Sequence, residues 1–161
     1  MSLDELAQWF SGARRIVIVG VGNPIRRDDN VGVEIVNGLE GKVPKSVLLI
    51  KSETVPESFI EPIVKFKPTH ILILDAALLG LGPGAIKFMK TIEVKATAIS
   101  THALPIHIFC EYLTKTTGAK IAMLLIQPKN ASFGEELTCE LKMTKEKLVR
   151  HLVKMVGQIA N

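Results

Sequence analysis

The stretch 19-VGVGNPIRRDDNVGVEIV-36 is where two periodicities of the chain meet. Upstream, Ile16, Val17, Ile18 and Val19 form a β-branched run of the kind found in buried strands. Downstream, Val31, Val33, Ile35, Val36 and Leu39 recur largely at helical spacing. They predict a helix over about 29–39, punctuated by Gly38 and Gly41. Between the two lie Gly20, Gly22, Pro24, two arginines and the adjacent pair Asp28-Asp29. Either this is a nucleotide-binding turn, or the carboxylates are its purpose and the glycines only shape the loop.

The same alternation continues outward. Residues 3–10 predict a short helix. Strands are expected at 16–20, 47–53, 70–77, 85–90 and 120–127. Further helices are expected at 56–66, with Pro56 as first residue, at 103–116 and at 144–159. Pro62 weighs against the middle of the 56–66 helix, and Ser100 or Thr101 suits a cap for the helix after it. Continuously apolar strands alternating with helices indicate an α/β fold: a three-layer sandwich with a central twisted, mostly parallel sheet and helices on both faces. No internal repeat or linker divides the chain, so residues 1–161 are read as one domain.

Composition excludes several classes. Hydrophobic residues make up 47% and charged residues 22%, which argues against general disorder. Lys51, Lys65, Asp75 and Lys87 interrupt the apolar runs well before membrane-spanning length, so no membrane insertion is expected. The opening MSLDELAQWF is acidic and amphipathic, without a basic n-region or an apolar h-region, and a cytoplasmic protein is expected. The net charge of +4 comes from scattered lysines, with six Phe, one Trp and one Tyr. Basic clusters interleaved with stacking aromatics are missing, so nucleic-acid binding is not expected. Cys110 and Cys139 form no CxxC and read as two free, mostly buried thiols, Cys110 in a helix core.

The dinucleotide reading of the opening stretch is weak. Gly20-Val21-Gly22-Asn23-Pro24-Ile25 follows a strand, but Ile25 stands where G-x-G-x-x-G has its third glycine. Pro24 also removes a backbone N–H where a phosphate needs donors. Two carboxylates beside the next helix N-terminus would repel a further anion. Glu53 mimics the ribose-binding acid, and no Walker lysine motif occurs.

The carboxylate reading is stronger. In open α/β sheets the functional crevice lies outside the carboxyl ends of the strands, at the switch point. Asp29 follows the first strand, Asp75 ends the apolar run 71-ILIL-74, and His102 follows the fourth strand. Two carboxylates and one imidazole suit a borderline divalent metal such as nickel, zinc or iron(II), with coordination positions left open. The bland readings are an N-cap for Asp29, a salt bridge or loop hydrogen bond for Asp75, and a structural or capping role for His102. His70, His107 and His151 read as structural, since no HExxH occurs.

The segments 20-GVGNPIRRDDNVG-32, 71-ILILDAALLGLGPG-84, 101-THALPI-106 and 126-IQP-128 together resemble the hydrogenase maturation proteases, closest to the formate-hydrogenlyase (hydrogenase 3) type. The pattern G-N-x(4)-D-[DE]-x-x-G, D-A, T-H-x-x-P matches in order and spacing over about residues 16–128. The resemblance implies that Asp29, Asp75 and His102 form a nickel-binding site. It implies an endopeptidase that removes a C-terminal peptide from the nickel-loaded precursor of a nickel–iron hydrogenase large subunit. The nickel would be substrate-borne, a recognition element as much as a reagent, and a monomer is expected. The segment 51-KSETVPES-58 departs from the family pattern at Lys51 and Glu53, which leaves the processed hydrogenase open. Arg26 and Arg27 could grip an acidic or C-terminal part of the substrate, or form a solvated loop. The rival readings are a non-catalytic nickel-inspecting chaperone using the same triad, and a dinucleotide-dependent enzyme.

Overall fold

The computed structural model describes residues 3–90, 99–100 (backbone only) and 106–159. The order is α1 (Leu3–Trp9), β1 (Ile16–Val21), a 3-10 turn (Arg27–Asn30), α2 (Val31–Leu39), β2 (Val47–Glu53), a second 3-10 turn (Pro56–Phe59) and α3 (Ile60–Phe66). Then come β3 (His70–Leu78), β4 (Ile86–Lys90), β5 (Ile99–Ser100), α4 (Ile106–Thr117), β6 (Lys120–Ile126) and α5 (Cys139–Ile159).

The strands lie in the order β2-β1-β3-β6-β4, with β5 attached to the end of β3. β1 runs parallel to β2 and β3, and β6 parallel to β3. β4 is antiparallel to β6 at the sheet edge, and β5 is antiparallel to β3. Alternation along the central strands sorts their side chains onto two faces. Ile16, Ile18, Leu72, Leu74 and Leu124 pack with residues of α1, α2 and α5. Val17, Val19, Ile71, Ile73 and Met123 pack with residues of α3 and α4. Both faces are covered, which is why these strands are apolar throughout and not at every second position. The expected three-layer α/β sandwich is the fold.

Several local expectations need correction. The helix expected from residue 29 begins at Val31; Asp29 belongs to the 3-10 turn before it. Pro56 opens a 3-10 turn, and α3 starts at Ile60. Pro62 thus falls in the first turn of α3, where its missing N–H has no intrahelical partner to lose. Ser100 lies in β5 opposite Ala77, and Thr101, the other cap expected for the helix after it, lies outside the described residues. α5 begins at Cys139, five residues before the expected start at 144, and leaves Cys139 exposed instead of buried. Cys110 is buried as expected, and burial pushes its thiol up to about 12. His70 is structural: it packs edge-on against Trp9, with 4.9 Å between ring centroids, and burial lowers its pKa. Among the described residues no helix is long and apolar enough to cross a membrane.

Two glycines position the segment after β1. A side chain at Gly20 would meet the Gly32 carbonyl oxygen at 2.5 Å. One at Gly32 would meet the Val21 carbonyl oxygen at 2.5 Å and collide with that of Leu74. The first turn of α2 therefore sits directly on the carboxyl ends of β1 and β3. Backbone cannot retreat as a flexible side chain can, so overpacking here is costly. We expect Gly32→Ala to lower the unfolding free energy by roughly 2–3 kcal/mol in urea titration, and Gly82→Ala, with nothing within 4 Å, to leave the midpoint unchanged.

Candidate active site

The chain runs from β1 out to β2, then returns across β1 to β3, so the direction reverses between β1 and β3. Such a switch point opens a crevice at the carboxyl ends of the strands. Gly20 pairs with Leu74 in the last β1–β3 register position, and Asp75 is the next residue. It is 0% exposed and continues the alternation of Ile71, Ile73 and Ala77, beneath α3 and α4. The 3-10 turn that carries Asp29 packs against β3. Asp29 is 4% exposed, and its backbone N–H donates to the Arg26 carbonyl at 2.9 Å. The structure thus brings both carboxylates to the same end of the sheet and buries them. The cap position of α2 is held by Asn30, not Asp29, and no side-chain bond is made there.

His102, the third member expected from the sequence, lies outside the described residues. The described residues alone contain no group of three or more His, Cys, Asp and Glu able to hold a metal.

The neighbour Asp28 has a different task. It is 0% exposed, and its carboxylate faces the 127–138 connection. The Lys129 and Asn130 N–H groups each donate to Oδ2 at 2.9 Å, and the Thr138 N–H donates to Oδ1 at 2.8 Å. The Thr138 hydroxyl also donates, at 2.9 Å to Oδ2. A carboxylate that accepts several N–H bonds is a strong structural anchor. Asp28 therefore fixes a loop, while Asp29 is buried at the carboxyl end of the sheet.

The arginines are also committed. Arg26 Nε donates to the Ala131 carbonyl at 3.0 Å, and the Arg27 N–H donates to the Gly134 carbonyl at 3.0 Å. The Arg27 guanidinium lies where a Gly134 side chain would stand, with Nε 2.6 Å from that position. Arg27 is half-buried, which contradicts a freely solvated loop at that residue; Arg26 is exposed.

Sequence reasoning gave no structural role to three residues. Gln127 Oε1 accepts from the Leu79 N–H at 2.7 Å and so holds the turn after β3. Ser52, 1% exposed, donates to the Gly20 carbonyl at 3.1 Å and ties β2 to β1. Asn30, 5% exposed, keeps Oδ1 without a hydrogen-bond partner among the described residues, against the backbone of Gly22. The space that glycine gives a pyrophosphate in a dinucleotide loop is thus filled by the chain's own Asn30. In the sequence Asn30 stood beside the acids, but its burial came from the close approach to Gly22, which no local pattern encodes. The segment 51–58 shows Lys51 paired with Glu40 at 2.7 Å and Glu53 in the left-handed region at φ 52°.

A mostly parallel sheet covered on both faces, with buried carboxylates at the carboxyl ends of β1 and β3, defines an α/β sandwich protein. The model of the hydrogenase maturation protease family (HycI) matches residues 33–159, and this chain belongs to that family of proteases. A Methanocaldococcus jannaschii protein, provisionally named a hydrogenase maturation protease, is 36% identical over 99% of this chain and 96% of its own. The hydrogenase 3 maturation protease of Escherichia coli K12 is 27% identical over 84% of this chain and 87% of its own. The crystal structure of the HycI nickel–iron hydrogenase maturation protease from Thermococcus kodakarensis KOD1 superposes with a TM-score of 0.89. It has 32% identity and covers 95% of this chain and 99% of that one.

Asp28→Asn retains one acceptor oxygen and turns an amide donor toward backbone donors. We expect it to cost about 2–3 kcal/mol of stability by chemical denaturation, with faster amide exchange at residues 129–138 than elsewhere in the chain.

Proposed function

We propose that this protease removes a C-terminal peptide from the nickel-loaded precursor of a nickel–iron hydrogenase large subunit. The observation that carries the reading is the pair of carboxylates, Asp29 and Asp75, both more than nine-tenths buried at the β1/β3 switch point of a chain in this family. Two acids at one crevice suit a divalent cation, and carboxylate with imidazole suits borderline metals such as nickel. The nickel belongs to the substrate. His102 is the third ligand of the reading. Support for it is positional: Ser100, two residues before it, pairs with Ala77, two residues after Asp75.

Asp29, Asp75 and His102 would orient the metal-bearing end of the precursor, so that its scissile peptide lies across the crevice. A nickel ion held there would supply Lewis-acid polarisation of a carbonyl or a water. One carboxylate takes the proton of the attacking water and returns it to the departing amine as the peptide C–N bond breaks. A thiolate nucleophile at Cys110 is disfavoured, since its thiol is buried and pushed up to about 12.

The test is intact-mass analysis of the nickel-loaded precursor from the same organism after incubation with the protein. Loss of one discrete C-terminal peptide is expected, reduced at least a hundredfold in rate by Asp75→Asn or His102→Ala. A precursor that stays bound and uncleaved would point to a nickel-inspecting chaperone; full cleavage by both variants would remove the metal-binding triad from the mechanism.

A further inference from the structure

The strand that carries Asp75 outruns its neighbours in the sheet. β1 accompanies β3 as far as Leu74, and β6 accompanies it as far as Ala76. Beyond those points the described residues paired with β3 are Ser100 and Ile99 of β5, opposite Ala77 and Leu78. Asp75 thus stands where the ladders on either side are running out. A strand end held by few ladder bonds opens locally at small free-energy cost, and a carboxylate placed there needs a further restraint to keep one position.

The path of the chain after β3 supplies it. β3 and β4 lie on opposite sides of β6, so residues 79–85 must cross the carboxyl end of β6. Gln127, the first residue after β6, holds both ends of that crossing. At the β4 end the bonds are made by backbone: the Gly84 N–H donates to the Gln127 carbonyl at 2.8 Å, and the Gln127 N–H donates to the Ala85 carbonyl at 2.9 Å. At the β3 end the side chain takes over. Its Oε1 accepts from the Leu79 N–H at 2.7 Å. Its Nε2 donates to the Pro128 carbonyl at 3.1 Å, which orients the amide with its oxygen toward Leu79. Leu79 continues the alternation of Ile71, Ile73, Asp75 and Ala77, and it packs against the apolar cluster on that face.

We infer that Gln127 is a positioning residue for peptide cleavage: its amide holds the overhanging end of β3 and so sets where the Asp75 carboxylate stands. The inference rests on the role proposed for Asp75 and deepens it. A side chain is required because the β3–β6 ladder ends at the pair Ala76–Ile126. The Gln127 amide carries the hold of β6 onward to Leu79.

The experiment compares kcat/KM for cleavage of the nickel-loaded precursor by the wild type, Gln127→Met, Gln127→Glu, Thr144→Val, Asp75→Asn and the double variant Gln127→Met/Asp75→Asn. Methionine has nearly the length of glutamine and makes neither amide bond, while the backbone bonds of residue 127 remain, so the crossing persists. Thr144 on α5 is the matched control, because its hydroxyl donates to the Gly84 carbonyl at 2.8 Å at the other end of the same crossing. Gln127→Met should lower kcat/KM roughly tenfold or more through misplacement of a reacting group, and Thr144→Val should match the wild type well below its melting temperature. If Gln127 acts through Asp75, the double variant should lie within about threefold of Asp75→Asn alone. Gln127→Glu keeps an acceptor for Leu79 and, once protonated, the donor to Pro128. Its rate relative to the wild type should therefore rise as pH falls from about 8 toward about 5. If the wild type cleaves the precursor and Gln127→Met keeps its kcat/KM, or if the Gln127 and Asp75 losses multiply in full, the positioning role is overturned while the endopeptidase reading stands. If Thr144→Val loses as much as Gln127→Met, integrity of the crossing is the cause and the positioning role is again overturned. If the wild type does not cleave the precursor at all, the endopeptidase reading falls and the inference falls with it.

Discussion

Everything at the functional end of this molecule depends on how closely the first turn of α2 can approach the sheet. Gly32 lets its backbone rest on the terminal carbonyls of β1 and β3, and Gly20 removes the opposing side chain. This contact fixes where the chain must go after leaving β1. Residues 22–30 have to fold back within a short distance to reach that helix start, and the 3-10 turn Arg27–Asn30 is the result. A buried carboxylate at Asp29 is a consequence of that turn lying under α2 and against β3. The glycines that resemble a phosphate-binding loop therefore serve a contact between the chain's own elements.

A second constraint acts from the far end of the sequence. Asp28 reaches Lys129, Asn130 and Thr138, and so couples the β1 loop to the connection between β6 and α5. Asp28 thus organises this loop, while Asp29 beside it is buried against β3. The β1 loop and the 127–138 connection are thereby held to each other at several points.

The layers of the fold were legible in the sequence because a parallel sheet covered on both faces demands continuous apolar strands, and 71-ILIL-74 and the 120–126 strand have no other reading. The direction of β4 was not legible, since alternation marks a strand without saying which way it pairs. The helix ends were misplaced for local reasons. Asp29 and Val31 differ by two residues, within the blur between a 3-10 turn and an α-helix. Cys139 starts a turn whose first residues carry no strong apolar repeat. Asp75 was legible because a charge ending an apolar strand needs a purpose. The anchoring role of Asp28 was not, because its partners lie about a hundred positions away; Asp29 was named from its place after the first strand and from the family resemblance. His102 was singled out by the same resemblance and by its place after a strand, and it lies outside the described residues.

The central claim is that Asp29 and Asp75 act as one site. A double-mutant cycle on cleavage of the nickel-loaded precursor tests it most directly, with Asp29→Asn, Asp75→Asn and the double variant compared by kcat/KM. Residues that act as a unit give non-additive losses. One shared site requires the double variant to be no slower, within about threefold, than the worse single variant. Two penalties that multiply would show the carboxylates acting independently and would contradict the shared site.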